Sequence, residues 1–164
     1  MMAEMTSSEY GQLLAPWLTQ AAGYARSLLL NKPDAEDAVQ QAALRGLERI
    51  RTYDTKRPFK GWWFAIVRNS CFDLLRKRKS SRLTALGNME IADARSSEPA
   101  RWQQLAKQLT QLSQDHEEIL RLRYFGGLDY GELAYALDIP LGTVMSRLHF
   151  ARKALAEKIN KEDL

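Results

Sequence analysis

Apolar residues recur every three or four positions along this chain, and no stretch alternates with period two for long. That spacing gathers apolar side chains on one face of an α-helix and would scatter them over both faces of a strand. The chain is therefore expected to be all-α. A first helix is predicted over about residues 8–30, with Leu13, Leu14, Trp17, Leu18, Ala21, Ala25 and Leu28 on its apolar side and Pro16 kinking or delaying it. The segment "NKPDAEDAVQQAALRGLERI" opens a second helix. Asn31 to Asp34 combine stop and start signals, and Asp34, Glu36 and Asp37 place negative charge at the positive end of the helix dipole. Ala35, Ala38, Val39, Ala42, Leu47 and Ile50 face inward, leaving Asp37, Gln40, Gln41 and Arg45 on a polar face.

The third helix, "FKGWWFAIVRNSCFDLLRKRK", carries Phe59, Trp62, Trp63, Ile66, Val67, Ser70, Cys71, Leu74 and Leu75 at helical spacing. It ends in four consecutive cations, Arg76 to Lys79, which suits the negative end of a helix dipole. Periodicity then fails. Residues 80–98 are rich in Ser and Ala and read as a linker. Beyond it, Pro99 suits a first helical turn, and Trp102, Leu105, Leu109 and Leu112 form the stripe of a fourth helix. Ser113 caps a fifth, which stops at Gly126-Gly127. Asp129 and Glu132 have capping-box spacing for a short sixth helix with Leu133, Ala134 and Leu137 inward. After "DIPL" comes a last helix with Val144, Leu148, Ala151, Leu155 and Ile159 inward. A short helix, a tight corner and a longer helix make a helix-turn-helix. The expected architecture is thus two small helical domains, residues 8–79 and 99–161, joined by the 80–98 linker.

Charge is unevenly spread. Residues 51–82 hold ten Lys/Arg against two Asp/Glu, an excess larger than the net +4 of the whole chain. Such a block suits a polyanionic partner. Within it, Tyr53 and Phe59 are interleaved with Arg51, Lys56, Arg57 and Lys60, a pattern suited to unpaired bases, and Trp62 and Trp63 add stacking surface. In the last helix, Met145, Ser146, His149, Phe150, Arg152 and Lys153 are left outside the apolar stripe. Ser146 and His149 can bond base edges or phosphates, and Arg147 and Arg152 can pair with phosphate or guanine. Met145 and Phe150 can meet only apolar surface, such as a thymine methyl. For Phe150, packing against the preceding helix is the expectation, because large apolar groups are usually buried.

The exclusions are equally informative. A single cysteine rules out an internal disulfide. The opening "MMAEMTSSEYG" is acidic and polar, unlike a signal peptide, and no run approaches the roughly 18 apolar residues that span a bilayer, so a soluble, cytoplasmic protein is expected. No enzyme emerges. Cys71 lies on an apolar helical face, His116 and His149 have no metal-ligand spacing, and no Gly-rich phosphate loop follows a strand. No catalytic residue, metal site or cofactor is expected.

The order of "DAEDAVQQAALRGLERI", "FKGWWFAIVRNSCFDLLRKRK", a linker and "LDYGELAYALDIPLGTVMSRLHFARKAL" resembles the bacterial RNA polymerase sigma factors of the extracytoplasmic-function group, over about residues 10–160. The resemblance implies a first domain that binds core RNA polymerase through Asp37, Gln40, Gln41 and Arg45. Relatives commonly carry Glu where Gln41 stands, so one charge is missing. It further implies that Tyr53, Lys60, Trp62, Asn69 and the cations Arg76, Lys77, Arg78 and Lys79 meet the melted −10 element, with Ala65 where relatives often have Arg. The second domain would read the −35 element as duplex with Thr143, Met145, Ser146, Arg147, His149, Phe150 and Lys153. Relatives usually have Lys or Arg where Met145 and Phe150 stand. Core RNA polymerase, promoter DNA and an anti-sigma factor are the implied partners, and residues 80–98 would pass through the polymerase channel. Two other readings fit parts of the chain: a stand-alone helix-turn-helix regulator, and a sigma-like protein that sequesters an anti-sigma factor.

Overall fold

The computed structural model describes residues 5–84 and 99–162. Among them there is no strand. The first half comprises α1 (Ser7–Leu14), α2 (Leu18–Leu29), α3 (Lys32–Arg49) and α4 (Phe59–Thr84). The second comprises α5 (Ala100–Leu109), α6 (Gln114–Tyr124), α7 (Tyr130–Leu137) and α8 (Leu141–Glu162). The helical segment α4 runs into the stretch expected to be linker, and residues 85–98 of that expected linker lie outside the described residues.

Local signals explain most boundaries. Thr6 and Glu9 close a capping box on α1. Pro16, lacking an N–H, sits in a 3-10 turn at Ala15–Trp17 that divides the predicted first helix into α1 and α2. The tighter turn shifts helical phase, so Leu13 and Leu18, expected inward, are exposed instead. Leu30 adopts a left-handed conformation that ends α2, and the Asn31 side chain then accepts from the Asp34 N–H at 3.0 Å to start α3. Asp129 and Glu132 form the expected capping box on α7, at 2.8 and 2.9 Å. Ser113 precedes α6 but makes no side-chain cap.

α3 packs on α2 and α4 through small residues. Its buried face is Ala35, Ala38, Val39, Ala42 and Gly46, which leaves Leu47, expected inward, on the exposed side with Leu44. α8 packs on α6 and α7 around Val144, Leu148 and Ala151. The two halves do not stay apart. α4 lies against α7, α2 meets α5 and α6, and a single continuous core runs from Tyr24, Trp63 and Val67 to Leu120, Leu133 and Leu148. Each such large side chain contributes roughly 1.5–3 kcal/mol when fully buried.

Candidate nucleic-acid and polymerase interface

Three surfaces carry the expected site residues. The first lies on α3. Asp37, Gln40 and Gln41 are exposed beside a shallow groove of about 300 Å³ that Ala38, Arg45, Ser70, Asp73, Leu74 and Lys77 also line. Arg45 is the anchored member: its guanidinium donates to Asp73 at 2.6 Å and to Ser70 Oγ at 3.2 Å. Arg76 also bonds Asp73. These contacts, the Arg45 hydrogen bond foremost, hold the Asp73 carboxyl below its ordinary value against the opposing effect of burial. Leu44 and Leu47 extend the same exposed side with apolar surface; Leu47 was expected inward, and Leu44 was assigned to neither face.

The second surface follows α4. Tyr53, Phe59 and Trp62 form an aromatic cluster with ring centroids 5.4–5.5 Å apart. The Tyr53 hydroxyl donates to the Arg57 carbonyl at 2.7 Å, and burial raises its pKa. Both tryptophans are buried, Trp63 completely, so neither offers an open face for stacking. Asn69 stands two helical turns beyond Trp62 on the same side of α4. It is exposed and lines a groove of about 810 Å³ with Arg45, Arg49, Arg68, Arg76 and Lys79, whose only carboxylate is Asp73. Of the terminal cations, Arg78 is tied back to Asp34 and to the Leu29 carbonyl, while Lys77 and Lys79 are exposed.

Lys60 departs from expectation. It is only 6 % exposed, because its ammonium donates to the Gly127 carbonyl at 2.8 Å and lies over the Trp17 ring. Gly127 reaches this position at φ 68°, a left-handed conformation that glycine adopts without strain. Burial lowers the Lys60 pKa, with Glu132 and Asp129 opposing. Lys60 is one of several links between the halves. Arg68 Nε donates to Glu118 at 2.6 Å. The Arg57 guanidinium stacks 3.7 Å over the Tyr135 ring. Arg121, 1 % exposed, donates to the carbonyls of Ser27 and Ala106 and pairs with Glu117. Sequence reading assigned none of these links. Each joins the halves across 50 or more residues of sequence, a range over which local pattern carries no signal.

The third surface is α8. The corner from Asp138 to Pro140 separates α7 from α8, with Asp138 left-handed at φ 53°. Met145, Ser146, His149, Phe150 and Lys153 are all exposed. Phe150, expected to pack inward, is 56 % exposed: Val144, Leu148 and Ala151 already fill the inward stripe, and position 150 points well away from it. Met145 is equally open at 55 % and Leu141, which the sequence reading passed over, at 51 %. Thr143 and Arg147 are half-buried, the latter 3.9 Å from Asp115. Ser146 Oγ donates to the Thr143 carbonyl at 3.2 Å.

Elsewhere, no described helix is long and apolar enough to cross a membrane. Cys71 is buried, and that burial pushes its thiol up to about 12.

Comparison with known proteins accounts for this arrangement. Sigma-70 region 2 matches residues 13–81, and Sigma-70 region 4 matches residues 102–155. The ECF RNA polymerase sigma factor SigL of Mycobacterium tuberculosis is 33% identical over 141 residues, spanning 80% of this chain and 78% of its own. The RNA polymerase sigma factor SigV of Bacillus subtilis is 29% identical over 140 residues, spanning 85% and 84%. Among solved structures, CnrH in complex with the cytosolic domain of CnrY matches with a TM-score of 0.73 at 26% identity, over 95% of this chain and 90% of that one. RpoE in complex with the anti-sigma factor NepR from Bartonella quintana matches at 0.71 and 27% identity, over 93% and 98%. The two regions in order, the identity across most of the length and the shared helical fold together establish that the chain belongs to the ECF RNA polymerase sigma factors.

Proposed function

We propose that this sigma factor divides its work among the three surfaces. The α3 face, with Asp37, Gln40, Gln41 and Arg45, docks on core RNA polymerase, helped by the neighbouring Leu44 and Leu47. The α4 groove takes up the unpaired −10 strand: Asn69 selects a base beside the buried Tyr53 and Trp62, which shape that end of the site from behind, and Lys60, Arg76, Lys77, Arg78 and Lys79 hold phosphates. The helix-turn-helix reads the −35 duplex through α8, with Thr143, Met145, Ser146, Arg147, His149, Phe150 and Lys153 on or beside the reading face. Residues 8–79 and 99–161 are then the two promoter-reading domains, with residues 80–98 between them. RNA synthesis is the polymerase's chemistry; this chain contributes differential binding. By likeness to CnrH and RpoE in their complexes, an anti-sigma factor is a further partner.

The observation that carries this reading is the basic groove around Asn69, five cations against one carboxylate, on the same chain as an exposed recognition helix. A flipped base costs a few kcal/mol of stacking, which such a site must offset. Tethering two readers raises the effective concentration of the second once the first is bound.

The test is run-off transcription with core polymerase and genomic fragments, with and without this protein. Discrete new start sites are expected. Asn69→Ala should reduce promoter opening and leave polymerase binding intact. Loss of polymerase binding in that variant, or no new start sites despite polymerase binding across a complete fragment set, would sink the assignment.

A further inference from the structure

We infer that α8 selects its duplex through thymine methyl groups, using the exposed apolar pair Leu141 and Met145 on its first two turns. The inference rests on the reading of the second half as a duplex-binding module and specifies what that module recognises.

Leu141 and Met145 are one helical turn apart and more than half exposed, in the first two turns of α8. Those are the turns of a helix-turn-helix recognition helix that meet base edges. His149 continues the line another turn on. Its ring meets Phe150 edge to face, with centroids 5.2 Å apart and planes at 76°, while Phe150 itself lies on the opposite side of the helix from Leu141.

The polar groups nearby are largely committed. Ser146 Oγ is bonded to the Thr143 carbonyl. Arg147 is half-buried and leans toward Asp115 on α6. Arg152 Nε donates to the Tyr124 hydroxyl at 2.9 Å. His149 and Lys153 stay exposed for hydrogen bonding, while Leu141 and Met145 add hydrocarbon to the exposed surface of α8. In the major groove, the thymine C5-methyl is the feature that rewards hydrocarbon contact.

Charge points to the same occupant. Between Asp138 and Glu157 there is no carboxylate, while Arg147, Arg152 and Lys153 are present. An apolar pair set in a segment without anions is matched to a polyanion that carries methyl groups. An exposed apolar patch can equally mark a protein contact, and the experiment separates the two.

The holoenzyme, full chain plus core polymerase, is used to select promoters from a library randomised across the −35 duplex. Thymines in the selected sequence are then replaced one at a time by deoxyuridine, which removes only the methyl. Thymine-rich selection is expected, with a loss of about fourfold in competitive binding at each contacted position, the worth of one buried methyl. In Leu141→Ala and Met145→Ala, deoxyuridine and thymidine should bind alike at the position each residue covers. A holoenzyme that initiates, but is indifferent to deoxyuridine everywhere, overturns this inference alone. Unchanged DNA selection by both variants, with loss of a protein partner, overturns it in favour of a protein contact. Failure to initiate at any promoter overturns the underlying sigma-factor reading as well.

Discussion

Lys60 Nζ donates to the backbone carbonyl of Gly127, 67 residues further along the chain, at 2.8 Å. A cation expected to hold a DNA phosphate thus spends the closed arrangement satisfying a carbonyl of the other half. It cannot do both. If Lys60 holds DNA as proposed, the halves must part first, and every link across the boundary bears on how readily they do.

Gly61 sits on that boundary with α7 close against it. A Cβ there would stand 2.9 Å from the Glu132 carbonyl oxygen and 3.1 Å from the Tyr135 side chain. Backbone cannot swing aside as a side chain can, so α7 has to move. Gly61→Ala should disfavour the closed arrangement by about 1–3 kcal/mol. It should also strengthen α4 itself by about 1 kcal/mol, since alanine is the better helix former. Fluorescence transfer between labels at exposed Glu48 and Lys161 should fall while helicity holds. An unchanged transfer efficiency would mean that α7 accommodates the methyl in place.

Glu118→Ala removes the acceptor of the Arg68 guanidinium. The carboxylate is buried, so the loss should be larger than for a surface pair, about 1–3 kcal/mol. The same fluorescence measurement should show opening, less pronounced at high salt in the parent than a fully exposed pair would give. Identical distance distributions in parent and variant would count against a role for this pair in closure.

Arg121→Met tests the buried guanidinium. It leaves the Ser27 and Ala106 carbonyls without this donor and strips Glu117 of its partner. The expected cost is about 3–5 kcal/mol, read from urea midpoints at constant slope. A loss below about 1 kcal/mol would show that the carbonyls find other donors.

Asp73→Asn gives a pH-dependent prediction. The native carboxyl titrates below its ordinary 3.8, with the Arg45 hydrogen bond the main cause. A depressed folded-state pKa contributes stability that is fully present above the unfolded value and lost as pH falls through the folded one. The variant should therefore be less stable than the parent at neutral pH, and the two should converge as pH drops below 3.8. A constant gap down to strong acid would exclude the ionised carboxylate as the source.

What could be read from sequence divides by the range of the signal. Asn31, Pro16 and the Asp129–Glu132 pair act within one helical turn, and each produced the stop, kink or cap that its chemistry demands. The sigma-factor family and the all-α architecture were legible because region order and helical period persist along the chain. Burial of Lys60 was not legible: nothing within its helix announces a carbonyl in another domain. Phe150 misled for a related reason. Its type says core, but its register places it opposite a stripe already filled by Val144, Leu148 and Ala151. The pairing of Arg121 with Ser27 and Ala106 is a tertiary fact with no local trace.

The exposure of α8 gives the closed molecule a timetable. While Lys60 is still committed to Gly127, Leu141, Met145 and Phe150 already face solvent. If α8 reads duplex as proposed, it can sample it before the halves part, whereas any contact made through Lys60 has to wait until they do. A promoter would then be met first by its double-stranded upstream edge and only afterwards by the surface that holds it open.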